Sequence, residues 1–555
     1  MDEGSIRRLI TRGKEKIASA GRPVPALLEG RSAVQLATLP QTPAQPLHIK
    51  AGLEPYDQPL DLAKAKHLLR RTQFGAAVDQ VNNLVGMNAS QAVDDIVAAA
   101  LDTVTTPFPE KPAWADVVPP FNGTQEEIDQ FVQDNVMWLY ELQDEWFDLL
   151  TEVGFRERMT LFWQNHFVTQ YDDYFLAMHA YRYLKLLREN ALGNFKDFVN
   201  AIGKDPAMLE YLDGNSNRTG EPNENYGREL LELFTMSPKD KNGNDNYTQQ
   251  DIVEAARALT GWIIDYLNHA GFFDVSRFDD GEKTILGQTG NWGYDDVVDI
   301  IFSQRGTETA YFICEKLYKE FVYAIPDTAI VEELAAEMVV QNFEIAPVIT
   351  KLLKSAHFFD TAVIGARLKS PIEMLTAMPI EVGRSLDADQ RMFLRQAASF
   401  LEQDLLNPPN VAGWPGYRTW ISTTSLPIRL LLSDLVLFGD GGTDITDLVS
   451  IATQFPEAST PNAAFELPIV LAEYLLPIPI DTLDIGAVPD EFGGDLINFP
   501  IPQEVLNGPA YAIDLAKIFL AGVPWYEWDI NSDFAPALLA FYARFLSQRP
   551  EFQLA

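Results

Sequence analysis

Apolar side chains recur along most of this chain at the spacing of an α-helix. Leu62, Ala65, Leu68 and Leu69 fall on one face of a first helix. The same periodicity predicts helices over residues 125–150, 155–169, 175–190, 195–202, 223–236, 248–264, 307–322, 328–339 and 346–355. Only short pieces such as Phe272–Phe278 read as strands, and strands do not alternate with helices. The pattern therefore predicts a mainly α fold, a large multi-helix orthogonal bundle with long irregular loops and few or no strands.

Composition divides the 555-residue chain into three predicted parts. Residues 1–60 are polar and rich in proline, as in an N-terminal extension or linker. Residues 61–435 form the predicted helical core. Residues 436–555 form an irregular elaboration and a C-terminal helix packed on the core, because 439–531 is rich in Pro, Asp and Gly and 534–548 is amphipathic.

The charge balance excludes several classes of partner. Asp and Glu number 79 against 42 Lys and Arg, a formal net charge of −37. Such a chain repels nucleic-acid phosphates and anionic lipid headgroups, and we predict a soluble, acidic protein without a nucleic-acid partner. No apolar run approaches the roughly 20 residues of a membrane-spanning helix, and no signal peptide is visible at residues 1–22. Cys314 is the one cysteine, which excludes an internal disulfide.

The most informative polar segment runs from Asp213 to Trp262. It contains a predicted helix that starts at Asn223, on which Glu229 and Glu232 lie close together on one face. Two neighbouring carboxylates can bind a hard cation or share a proton. The alternative is a solvated face on which Arg228 pairs with Glu232.

The loop after this helix has the spacing of a calcium-binding loop. Oxygen-bearing side chains fill positions 1, 3, 5, 7, 9 and 12 of an EF-hand-like pattern: Asp240, Asn242, Asn244, Asn246, Thr248 and Asp251. The sixth position is Asp245 rather than the usual glycine. A capping box between Thr248 and Asp251 explains the same residues without a metal. The cofactor prediction is therefore calcium, with no nucleotide or flavin signature anywhere in the chain.

Two of the six histidines have distinctive neighbours. His67 lies in Lys66-His67-Leu68-Leu69-Arg70-Arg71, and His166 follows Phe162-Trp163-Gln164-Asn165. A single histidine beside aromatic residues is usually a hydrogen-bonded core residue, so this pattern alone does not indicate catalysis.

At these residues the chain resembles a bacterial family known as domain of unknown function 1800. The matching blocks are HLLRRTQFG (67–75), RERMTLFWQNHF (156–167), DPAMLEYLDGNSN (205–217), PNENYGRELLELFTM (222–236), YTQQDIVEAARALTGW (247–262), DDGEKTILGQTGNWG (279–293), LKSPIEM (368–374), NPPNVAGWPG (407–416) and PEFQL (550–554). They occur in order over nearly everything after residue 60.

The resemblance implies a cellular location and a neighbouring gene product, but no reaction. Members are commonly exported, so the implied location is extracytoplasmic: the periplasm, the cell surface or secretion. Many are encoded beside a second family that looks like alkaline phosphatases and sulfatases. Members often have His-Asn-His where this chain has Gln164-Asn165-His166, a difference that removes one histidine of a two-histidine metal pattern.

Two hypotheses of function follow. The first is an extracytoplasmic enzyme that acts on a cell-surface or exported polymer through a polar centre of Glu224, Arg228, Glu229, His166 and His67. It requires these side chains to share a solvent-reachable cleft.

The second hypothesis is a non-catalytic partner or assembly factor for the co-encoded phosphatase-like or sulfatase-like protein. It requires an exposed aromatic or apolar patch. Two groups of residues are candidates for that patch: Trp414, Tyr417 and Trp420, or Trp525, Tyr526 and Trp528.

Overall fold

Helices dominate the structure, a computed structural model that describes residues 9, 11–12, 15–16, 45–439, 442, 444–486 and 501–555. The helices of the described residues are α1 Leu62–Thr72, α2 Val78–Leu84, α3 Ala89–Leu101, α4 Gln125–Glu152, α5 Phe155–Gln164, α6 Tyr171–Tyr174, α7 Ala177–Glu189, α8 Phe195–Ile202, α9 Pro206–Tyr211, α10 Glu224–Glu229, α11 Gln249–Ala258, α12 Tyr294–Gln304, α13 Gly306–Phe321, α14 Thr328–Val340, α15 Ile345–Lys354, α16 Pro371–Glu381, α17 Ala388–Phe400, α18 Ser425–Phe438, α19 Val449–Ala452, α20 Ala463–Leu475, α21 Gln503–Leu506, α22 Ala510–Leu520 and α23 Ala535–Ser547. A π-helical turn, Leu230–Thr235, continues α10. The prediction of a mainly α fold is confirmed.

The strands form two small antiparallel hairpins. Strand β1 (Trp262–Asp265) pairs with β2 (Ala270–Phe273), and β3 (Lys283–Ile285) pairs with β4 (Gln288–Gly290). The predicted helix over 248–264 therefore ends early, at Ala258. Gly261 follows with a φ of +95°, a left-handed conformation that favours glycine and turns the chain into β1.

Side-chain capping boxes start helices α11 and α16. Thr248 and Asp251 form the capping box that their spacing predicts, at the start of α11. A second box joins Ser370 and Glu373 at the start of α16. Each box satisfies amide groups of the first helical turn that have no partner within the helix.

One large hydrophobic core runs through most of the molecule. Trp146 of α4 and Trp163 of α5 are fully buried in it. Helix α13 packs on α14, and α20 packs on α22. In the described ranges, no helix is both long and apolar enough to cross a bilayer.

The stretch 439–531, predicted as an irregular elaboration with a few short helices, contains helices of more than ten residues. It contains α20, of 13 residues, and α22, of 11 residues. Ten of the thirteen residues of α20 are buried, so the helix is apolar nearly all round and shows little amphipathic pattern to recognise. Residues 487–500 lie outside the described residues.

The end of the predicted N-terminal extension packs against the helical part. Leu53 and Leu60 are buried, and the amide of Tyr56 donates to the carbonyl of Lys354 over 2.8 Å. The amide of Leu60 donates to Met87 over 2.9 Å. The three-part division of the chain remains a prediction.

Candidate functional site: a charged cleft at His166

A cleft of 670 Å³ opens between α5, α13, the start of α16 and the loop over residues 412–420. Its charged lining residues are Arg158, Lys316, Lys319, Glu320, Arg367, Glu373 and Arg418. Its aromatic lining residues are Phe162, Trp414, Tyr417 and Trp420. A cavity of this size can hold a small molecule or part of a longer one.

A histidine and a lysine are hydrogen-bonded in the cleft. His166 Nε2 lies 3.1 Å from the carbonyl oxygen of Phe234, and its Nδ1 lies 2.9 Å from Lys316 Nζ. A carbonyl oxygen only accepts, so Nε2 carries the ring proton and Nδ1 accepts from the amine. The Lys316 amine also lies 4.7 Å from the centre of the Phe312 ring. The π-helical turn thus supplies the carbonyl that fixes the histidine tautomer.

Burial sets the protonation of both partners. Burial, aided by the charge of Lys319 and opposed by that of Glu315, lowers the pKa of Lys316 from 10.5 to about 7. Burial and the neighbouring Lys316 also lower the pKa of His166 well below its ordinary value. Near neutral pH the lysine therefore exchanges its proton readily while the imidazole stays neutral.

A network of ion pairs forms the wall beside this pair. Arg158 contacts Glu320 at 2.7 Å and Glu373 at 2.5 Å, and Arg367 contacts both carboxylates as well. Burial acts to raise the pKa of Glu373, but Arg158 and Arg367 outweigh it and hold that pKa well below the usual range. Glu373 is therefore a fixed negative charge that orients the two arginines. Its capping box with Ser370 fixes its own position, since Glu373 Oε2 accepts from the Ser370 amide at 2.7 Å.

The aromatic wall approaches α5 closely because of one glycine. Gly413 has a φ of +83°, and a Cβ there would lie 2.3 Å from Asn165 Oδ1. The same oxygen accepts the amide of Trp414 at 2.7 Å. Asn165, next to His166, thus ties the loop over residues 412–420 to the end of α5.

The sequence-predicted acidic pair lies elsewhere. Glu224 accepts from Arg228 over 3.0 Å on an exposed face of α10, and Gln249 of α11 joins them. The sequence offers an ion pair between Arg228 and Glu232 as the alternative to a functional acidic pair. In the structure Arg228 pairs with Glu224 instead. Burial raises the pKa of Glu229, and Glu232 raises it further. None of these residues lines the cleft.

His67 is sealed in the core. Its Nε2 lies 3.1 Å from the carbonyl oxygen of Phe358, and its ring centre lies 4.5 Å from that of the Phe358 ring. Burial and the neighbouring Arg71 lower its pKa well below the ordinary value. The structure therefore distributes the five predicted catalytic residues over three places, with His166 alone among them at the cleft. Their catalytic role stays a prediction.

The predicted calcium loop is held by internal hydrogen bonds. Asp240 Oδ1 accepts the amides of Asn242 and Asn244, each over 2.8 Å. Asp251 uses one oxygen for its capping box and the other for the amide of Leu286. Asn246 is buried and donates to Met236. In the described residues no group of three or more His, Cys, Asp or Glu side chains is placed to hold a metal, and calcium binding stays a prediction.

The predicted aromatic patches are mostly covered. Trp414 and Trp420 are each 5% exposed and face the cleft rather than the outer surface. Trp525 packs on Phe465 and Trp528 packs on Phe519. Tyr526 is 43% exposed.

Sequence reasoning missed most of the cleft. Lys316 lies in no motif block and occupies an ordinary position on an amphipathic helix. A signal was nevertheless present, because three blocks that carry the family resemblance, 156–167, 368–374 and 407–416, all contribute to this one cleft. The ionisable residues of the first two of these blocks include Arg158 and Glu373, which both line the cleft.

Fold and site together define a mainly α protein with a charged, aromatic-walled cleft to which three of the motif blocks contribute. Residues 67–508 match the family described as "Protein of unknown function (DUF1800)", which covers most of the chain. The chain belongs to that family. No curated protein and no solved structure matches it.

Proposed function

We propose that the cleft is the active site of an extracytoplasmic enzyme that acts on a cell-surface or exported polymer. The observation that carries the proposal is the buried Lys316 amine, hydrogen-bonded to His166 Nδ1 in a cleft of 670 Å³. A buried lysine with a lowered pKa beside a second proton-carrying group is typical of catalytic sites.

The chemistry is proton transfer. In its neutral form the Lys316 amine takes a proton from water or from a substrate hydroxyl as the O–H bond breaks. The oxygen forms a bond to the electrophilic atom of the scissile linkage, and the bond from that atom to the leaving oxygen breaks. The resulting ammonium group returns the proton to the leaving oxygen. His166 is a positioning residue, because its Nδ1 holds the amine and its Nε2 is committed to Phe234.

The shape of the cleft supports a large substrate. Its mouth is open to solvent, and Phe162, Tyr417 and Trp420 provide flat apolar surfaces beside charged ones. Flat apolar surfaces interleaved with polar groups suit the alternating faces of a polymer unit. The extracytoplasmic location is part of the proposal and rests on the family resemblance.

Release of soluble fragments from envelope polymers tests this function. Purified protein is incubated with peptidoglycan and with exopolysaccharide, and new chain ends are quantified. We expect release by the wild type and by Lys239→Met, a lysine outside the cleft, and at least a hundredfold less by Lys316→Met, the lower end of the usual range for a general base. No release from either polymer, or equal release by Lys316→Met, would refute the proposal.

The second candidate function is a non-catalytic partner of the co-encoded phosphatase-like protein. One observation favours it: the β1–β2 hairpin and the turn after it expose Leu267 at 55%, Phe272 at 54% and Val275 at 75%. Co-purification of that protein with the wild type but not with Phe272→Ser would establish this function. A monodisperse chain that ignores the partner would remove it.

A further inference from the structure

We infer that His179 and His269 together bind a divalent transition-metal ion such as Cu²⁺, Ni²⁺ or Zn²⁺. His179 lies on α7, and His269 lies in the turn between β1 and β2. Neither histidine lines the cleft at His166. The inference is therefore independent of the proposed function, and neither depends on the outcome of the other's test.

The first observation is three ring nitrogens without hydrogen-bond partners. His179 is 0% exposed and His269 is 1% exposed. Within the described ranges, both nitrogens of His179 and Nδ1 of His269 have no partner. His357 is buried as well, yet Tyr318 contacts its Nε2 at 2.8 Å and the Ala51 carbonyl contacts its Nδ1 at 2.9 Å. Buried polar atoms without partners are rare, because they have lost their hydrogen bonds to water, and a bound ligand is one way to satisfy them.

The second observation is the hydrogen bond that orients the His269 ring. Its Nε2 lies 3.0 Å from the carbonyl oxygen of Val117. A carbonyl oxygen only accepts, so Nε2 carries the proton and Nδ1 carries a lone pair. A metal-binding histidine usually donates its other ring nitrogen to a carbonyl or a carboxylate in this way. The Nδ1 atom of His269 is therefore in the protonation state that a metal ion requires.

The third observation is the distance between the two rings. Their centres lie 5.5 Å apart, and their planes are inclined at 72°. Two imidazoles bound to one tetrahedral ion, with nitrogen–metal distances of about 2.0–2.1 Å, have their ring centres about 5 Å apart. Imidazole nitrogen suits copper, nickel and zinc, whereas calcium and magnesium favour oxygen. The spacing and the ligand atoms thus both fit a transition-metal ion.

The charges near the rings balance one another. Asp116 contacts both Arg182 and Lys111, and Asp265 supplies a second carboxylate near His269. Two positive and two negative side chains neither attract nor exclude a cation strongly, so the affinity depends on the two rings. Burial lowers the pKa of both histidines, and neutral rings are the form that binds a metal. The described residues place no third His, Cys, Asp or Glu at the same ion, so water fills its remaining positions.

Equilibrium dialysis against Cu²⁺, Ni²⁺ or Zn²⁺ tests the inference, with an excess of Ca²⁺ present to occupy weak sites at carboxylates. We expect a single ion to stay bound per chain, and Cu²⁺ to bind most tightly, as is usual for such ligands. Electron paramagnetic resonance of the Cu²⁺ form should show coupling to imidazole nitrogen. Surface carboxylates would supply oxygen ligands alone, and this measurement requires no variant.

Two variants and one matched control locate the ion. His179→Gln and His269→Gln should each weaken binding by at least about tenfold, since loss of an outer hydrogen-bond partner of a ligand already costs about that much. His48→Gln removes an exposed histidine and should bind as the wild type does. Melting curves without metal check that each variant folds. No binding that resists Ca²⁺, a Cu²⁺ spectrum without nitrogen coupling, loss of binding in His48→Gln, or unaltered binding in both pair variants would overturn the inference.

Discussion

The protonation of Lys316 provides the sharpest test of the site. With a pKa of about 7, half of the amine is neutral at neutral pH, whereas a lysine at the ordinary 10.5 is neutral in only about one molecule in three thousand. The difference of 3.5 between these values corresponds to about 5 kcal/mol against the charged amine in the folded protein, at 1.36 kcal/mol per unit. This preference arises mainly because the buried amine has lost its contact with water.

Competitive acetylation measures this fraction directly. Trace acetic anhydride reacts only with neutral amines, and peptide mass spectrometry compares Lys316 with added Nα-acetyl-lysine at each pH. We expect the Lys316 rate to level off above about pH 8, while the standard keeps rising about tenfold per pH unit up to about pH 10. The midpoint does not depend on how easily the reagent reaches the amine.

Two neighbours on α13 supply matched controls for the same measurement. Removing the positive charge in Lys319→Met should move the Lys316 midpoint to higher pH, and removing the negative charge in Glu315→Gln should move it lower. The reasoning is refuted if Lys316 follows the standard through pH 9, or if the two variants move the midpoint in the opposite directions.

The remaining predictions concern stability. Glu381→Gln should lower the free energy of unfolding, measured by denaturant titration, by about 3–5 kcal/mol. The substitution leaves the buried Arg70 without the carboxylate that it contacts at 2.7 Å. A loss below about 1 kcal/mol would show that the pair is not fully desolvated. Burial keeps His67 neutral in the folded state, so below a pH of about 6.5 only the unfolded chain binds a proton at this residue. As the pH falls, the free energy of unfolding of the wild type should therefore decrease more steeply than that of His67→Asn, by up to about 1.4 kcal/mol per pH unit. Equal pH dependence of the two proteins would show that His67 is not the group responsible. If the loop at Asp240 binds calcium, a chelator should lower the melting temperature of the wild type but not of Asp240→Ala, and indifference of the wild type would remove calcium from the loop.

The capping box of α11 illustrates what local sequence can predict. Thr248 and Asp251 are three residues apart, and both of their hydrogen bonds form within that one turn. Helical periodicity is equally local, which is why the ranges read along the chain correspond to α4, α5, α7, α8, α13 and α14. Where a helix is buried on nearly all sides, as α20 is, the amphipathic periodicity is weak and the sequence indicates the bounds of the helix poorly.

The sequence by itself determined the mainly α class, the negative net charge and the family, because each depends on local spacing, on composition or on motif blocks. The tertiary structure alone decided where the site is. His166 and Lys316 are 150 residues apart, and helical periodicity does not indicate which side chain a neighbouring helix will place opposite a given position. It also decided that Glu224 and Arg228 face outward while Lys316 faces inward, and that orientation gives the lysine its pKa of about 7, since only burial removes the water that would keep the amine charged.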